Sequence, residues 1–126
     1  MKLARFLLAF VCLLGIAFAQ EKVTTQKLDQ QELKQLAQLE KKQQAAKKKW
    51  LAKKSDKGLK KSYVSLTLKL AHDTMVSPPL PPKEKYPKAL RLYREVLKVE
   101  PNNEDAAKNK KMIEDIYRSM NRPIPK

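Results

Sequence analysis

The sequence predicts an all-α protein: a long basic N-terminal helix followed by a three-helix unit. Three observations carry this. Apolar residues recur at three- and four-residue spacings along most of the chain. No segment alternates apolar and polar residues as a half-buried strand would. Glycine is nearly absent, with Gly58 the only one after residue 19. A length of 126 residues suits one small domain. Lys and Arg number 28 against 13 Asp and Glu, a net charge of +15, which favours acidic partners. A single cysteine excludes a disulfide-stapled scaffold and a cysteine-based zinc site.

The first segment reads as a targeting sequence. Lys2 and Arg5 precede an apolar run from Phe6 to Phe18, and Ala17 and Ala19 place small residues where a signal peptidase inspects them. Cleavage after Ala19 would remove residues 1–19, leave Gln20 at the new terminus and deliver the protein to the periplasm or the extracellular space. An uncleaved anchor is the alternative, but the run falls short of the ~20 apolar residues that span a bilayer. Cys12 follows Val11 rather than a small residue, which argues against lipoprotein processing. The mature chain would carry no thiol.

Residues 20–58 form a Lys/Gln-rich helical arm. Asp29 followed by Glu32 resembles a capping box, and Gly58 after Lys53, Lys54 and Lys57 reads as a stop. Between them a helix of about 25 residues, close to ~40 Å long, is expected. Leu28, Leu36, Leu39, Ala46 and Trp50 gather on one side, but Glu32 and Gln43 interrupt the seam. The arm is therefore a solvated helix, or an interfacial or polyanion-seeking helix working through Lys47, Lys48, Lys49, Lys53 and Lys54.

Residues 59–126 form the second part. From 59 to 77, Leu59, Tyr63, Leu66 and Leu70 share one helical face, with Val64, Leu68, Ala71 and Met75 beside it. Four prolines within 77–82 then impose a stiff linker. Pro87 opens the next helix, whose Ala89, Leu90, Tyr93, Val96 and Leu97 make a buried face. Pro101 stops it and Asn103 caps the last helix, with Ala106, Met112, Ile113, Ile116, Tyr117 and Met120 on one side. Residues 121–126 close the chain in extended form.

Residues 86–103 resemble the second helix and exit turn of a tetratricopeptide repeat (TPR). Tyr86, Ala89 and Leu90 lead to Tyr93 four residues after Ala89, and Pro101 comes eight beyond, the spacing of that family's small residue, aromatic and proline. Tyr63, Leu66 and Leu70 loosely reproduce the first helix. Val96 departs from the pattern, standing where a second small residue is usual, and the connection from Leu70 to Ala89 is ten residues longer than the repeat. The resemblance covers one stretched repeat and half of another, about residues 59–120. It implies a protein-binding scaffold, with Asn109, Ile113 and Tyr117 as partner-facing candidates, although Asn109 also suits an ordinary surface position. Val64 and Leu68 stand where some members carry a basic carboxylate clamp, so that clamp does not transfer. About three repeats normally make a stable stack, so a bare unit would close on itself or take a partner.

An enzyme has little to stand on in this sequence. His72 and Asp73 are adjacent, so on a helix they point ~100° apart. No spacing suggests a metal cage, paired catalytic carboxylates or a phosphate loop, and no cofactor is expected. Two functions remain: a non-enzymatic interaction module outside the cytoplasm, binding another envelope or secreted protein or itself, and alternatively a binder of polyanions or anionic surfaces. Nucleic acid fits poorly, because the chain is expected to be exported and Trp50 and Tyr63 alone interleave its basic stretch, which offers little stacking.

Overall fold

The first helix stops at Ala52, where Lys53 N–H bonds to Trp50 O and Asp56 N–H to Lys53 O in tight turns instead of continuing the helical ladder. The structure, a computed structural model, describes the backbone of residues 2–126 and the side chains of residues 22–126. Among the described residues there are four helices and no strand: α1 (Lys2–Ala52), α2 (Lys57–Val76), α3 (Pro82–Val99) and α4 (Glu104–Ser119). Each helix packs on the next, α1 on α2, α2 on α3 and α3 on α4. The all-α class is therefore what the chain adopts. The expected cleavage residues Ala17, Ala19 and Gln20 lie outside the residues whose side chains are described. Among the described residues, no helix is long and apolar enough to cross a membrane.

The arm departs most from expectation. Asp29 does not start a helix, because nothing before it breaks one. Gly58 does not stop one. α1 ends at Ala52, residues 53–56 turn the chain, and Gly58 sits in the first turn of α2. The Asp56 side chain caps α2 by accepting from the Leu59 backbone N–H at 3.0 Å. A boundary between residues 58 and 59 thus falls inside a helix. Nor is the arm merely solvated: Gln43 and Ala46 are buried, and Leu36 and Leu39 pack against the core. Glu32 reaches Ser77, the cap at the far end of α2, so residues before 32 run past their packing partner. Leu28, placed on the apolar side by its spacing, is accordingly 61% exposed.

Small residues let the remaining helices approach closely. Ala71, Ala89 and Ala106, one from each of α2, α3 and α4, are fully buried beside Leu70, Leu90, Tyr93, Val96 and Ile113. Burying one such large apolar side chain is worth about 1.5–3 kcal/mol. The proline-rich linker is shorter than expected. Pro82 already belongs to α3, at the first-turn position where a missing N–H costs nothing, and Pro87 lies within the helix rather than at its start. Asn103 caps α4 as expected, accepting from Ala106 N–H at 3.0 Å. At the other end Asn121 takes a left-handed φ of 52°, with Arg122 N–H bonded to Tyr117 O and Asn121 N–H to Arg118 O, a Schellman close. The tail then returns along α3: Arg94 donates to Pro125 O at 2.6 Å, and Ile124 rests on the core.

Candidate functional site

Glu95 of α3 is the polar hub between the first three helices. Burial alone would raise its carboxyl, but the Lys47 ammonium at 2.7 Å, the Tyr63 hydroxyl and the Gln43 amide at 3.4 Å together hold it below the usual carboxylate range. Gln43 is itself buried and also donates to Thr67 Oγ1 at 3.1 Å, while Thr67 donates to Tyr63 O. For Tyr63 the balance runs the other way. Burial first, then the hydrogen bond to Glu95 and its charge, push the phenol well above its ordinary value. Trp50 stacks on Tyr63 with ring centroids 5.2 Å apart and planes 14° from parallel. Gln43 Oε1 and Trp50 Nε1 stay buried with no hydrogen-bond partner among the described residues. The cluster's acid is ionised and its phenol stays protonated, so neither group exchanges a proton near neutral pH.

Of the TPR-signature residues, Leu70, Ala89, Leu90 and Tyr93 belong to the core cluster and Tyr86 packs against it. Tyr63, Leu70, Ala89, Leu90 and Tyr93 are buried, Leu66 and Tyr86 are half-buried, and Pro101 lies exposed in the turn between α3 and α4. Their role in this molecule is packing between helices. Val96, the departure from the small-residue pattern, is buried with them.

The partner-facing candidates separate. Ile113 is 0% exposed and belongs to the core, so it cannot meet a partner in the folded chain. Tyr117 also packs against the core, half-buried. Asn109 donates to Asp105 O of its own helix at 2.8 Å. The single apolar side expected of α4 is in fact two: Ala106 and Ile113 face inward, whereas Met112 and Met120 remain 45% and 48% exposed. Adjacent helical residues diverge by ~100°, which separates Met112 from Ile113. Met112 and Ile116 line an open groove on the outer side of α4, bordered by Lys108, Lys111 and Asp115. Sequence spacing alone hides this strip, because it gathers the apolar residues of α4 onto one face.

The five lysines expected to bind polyanions also divide. Lys47 is committed to Glu95, whereas Lys48, Lys49, Lys53 and Lys54 are exposed without an ion pair among the described residues. A cavity of about 570 Å³ opens between α1 and α3, lined by Lys47 and Trp50 of α1, Tyr63 of α2, Arg91, Arg94, Glu95, Lys98 and Val99 of α3, and Lys126 of the tail. These α3 cations carry no signal in the sequence, where they look like the solvated back of an amphipathic helix. His72 is exposed, and Asp73 pairs with Lys69 at 2.7 Å. Among the described residues, no group of three or more His, Cys, Asp or Glu could hold a metal ion. No protein-family model, curated protein or solved structure matches the chain.

Proposed function

We propose that this chain is a non-enzymatic protein–protein interaction module, a TPR-like adaptor exported to the periplasm or beyond. The observation that carries the reading is the outer side of α4, where the helical array ends on an apolar strip that no other described helix covers. On the opposite side of the array, α1 covers α2. The strip of Met112 and Ile116, with exposed Met120 just past the helix end, is what a further helix would cover in a stacked array, and a partner's helix meets the same need. Glu95, already engaged by Lys47, Tyr63 and Gln43, supports a binding rather than a catalytic role. The basic start, apolar run and small residues of segment 1–19 support export.

The test uses the mature chain as bait against an envelope fraction, in parallel with a Met112→Glu, Met120→Glu variant. Both positions are about half exposed, so the core is left intact. One protein retained by the parent chain and lost from the variant is the expected result. Identical capture by both would overturn the assignment of this surface.

A further inference from the structure

We propose that the cavity between α1 and α3 is a binding site for a linear multivalent anion, a molecule carrying several phosphate or sulfate groups in series. Arg91, Arg94 and Lys98 succeed one another at i, i+3 and i+7, which places all three on one face of α3 along about 10 Å of helix. Like charges at these spacings repel and weaken the helix by a few tenths of a kcal/mol per pair, so the row is not a stabilising feature of α3. A ligand that neutralises it gives the row a purpose.

Counter-charge from the protein is insufficient. Glu95, the one acidic side chain at the cavity wall among the described residues, is engaged by Lys47 at 2.7 Å and by the Tyr63 hydroxyl. Arg94 donates to Pro125 O at 2.6 Å and lies 3.6 Å from Glu114, a carboxylate it shares with Lys110 at 2.9 Å and Arg118 at 3.7 Å, so it adds charge to the row while Arg91 and Lys98 supply the free donors. Arg91 and Lys98 are exposed and have no ion pair among the described residues. The stacked Trp50 and Tyr63 rings line the same cavity as the cations, and such apolar, water-excluding surface focuses their field into it.

Shape narrows the ligand class. A cavity of about 570 Å³ is far larger than one phosphate needs, and a row of cations about 10 Å long matches linked charges rather than a point charge. The Arg91 guanidinium, without an ion pair among the described residues, can grip a tetrahedral oxyanion through paired N–H donors, which a lysine does less well. This site is distinct from the exposed lysines at the α1–α2 turn, which carry charge without a cavity.

Trp50 is the only tryptophan, so its fluorescence reports the site directly. Tripolyphosphate, a sulfated disaccharide and inorganic phosphate are titrated into the full chain. A saturable change with tripolyphosphate or the sulfated sugar is expected, weakening about tenfold or more from about 50 to about 200 mM salt. Whichever of the two binds more tightly identifies the source of the anion. Inorganic phosphate should bind at least about tenfold more weakly, and equal affinity would overturn the linear-anion assignment. An Arg91→Gln, Lys98→Gln variant, folded by circular dichroism, should lose about tenfold or more in affinity, whereas Lys53→Gln, Lys54→Gln should retain it. No saturable response to either multivalent anion would overturn the proposal, as would equal losses in the two variants, the mark of diffuse attraction.

Discussion

Two buried tyrosines separate what a hydroxyl contributes from what a ring contributes. Tyr63 donates to Glu95, whereas the hydroxyl of Tyr93 is buried with no partner among the described residues. Replacing Tyr63 by Phe should cost about 1.5–3 kcal/mol, the range for a hydrogen bond to a charged group, and Tyr93→Phe should be neutral or slightly stabilising. Urea unfolding of both variants checks this, and a loss above about 1 kcal/mol for Tyr93→Phe would show that its hydroxyl has a partner. The same residues shape the pH profile. Burial, with the nearby charges of Asp105 and Asp73, pushes Tyr93 up to about 12, and Tyr63 goes higher still. Above the ordinary tyrosine value of 10.0 the unfolded chain releases these protons while the folded chain keeps them, so stability should fall from about pH 10 upward. Glu95, Glu114 and Asp115 titrate below their ordinary values; Lys110 and Lys111 are the first causes for the latter two. Their contribution is complete above the usual carboxylate range and disappears as pH drops through the lowered values. Melting temperature should therefore hold level from about pH 5 to about pH 9 and decline on both sides. Tyr63→Phe should flatten the alkaline decline and Glu95→Gln the acid one.

At the level of whole helices, α1 behaves as part of the domain. Its contacts with its neighbours form a ladder: Glu32 to Ser77 at 2.6 Å, Glu40 to Lys88 at 2.8 Å, Gln43 to Thr67 at 3.1 Å and Lys47 to Glu95 at 2.7 Å. Removing residues up to 52 would expose the face of α2 that α1 covers and leave Glu95 half-buried without its ammonium partner. Such a truncated chain should lose most of its helical circular dichroism, whereas a chain beginning at residue 22 should melt cooperatively; a folded fragment from 53 onward would refute this. The Asp56 cap gives a finer check, since Asp56→Ala should cost about 1 kcal/mol in a urea melt. These elements also mark how far the sequence can be read. The faces of α2 and α3 are legible, because an apolar stripe at helical spacing has one packing solution, and so is Asn103, a side-chain cap right after a proline turn. Asp56 is hidden by Gly58, whose position after a lysine run imitates a helix stop although the apolar periodicity resumes at Leu59, right behind it. Gln43 is illegible for a different reason. A buried glutamine and a solvated one look alike until the partner is known, and its partners lie 24 and 52 residues away.

For the whole molecule, the charge decides what can cover the outer side of α4. An apolar strip of this kind invites a second copy as readily as a foreign partner, and the sequence alone leaves both open. Two mature copies, each carrying +13 once Lys2 and Arg5 leave with residues 1–19, repel one another, and at low ionic strength that repulsion reaches tens of ångströms. The groove itself adds to this: Asp115 is already paired with Lys111 at 2.5 Å and Arg118 at 2.8 Å, so it offers little attraction to another basic chain. An acidic partner gains from the same field that drives copies apart. The protein should consequently sediment as a monomer at about 10 mM salt, with any self-association appearing only once salt shortens the screening length to about 8 Å or less. A true partner should show the reverse trend, associating faster at low salt and more slowly at high salt, because steering by the net charge weakens as it is screened. Analytical ultracentrifugation at both ionic strengths distinguishes the cases. A dimer that persists at low salt and falls apart on Met112→Glu, Met120→Glu substitution would make the second copy the occupant of the strip, and the adaptor reading would give way to a self-assembling one.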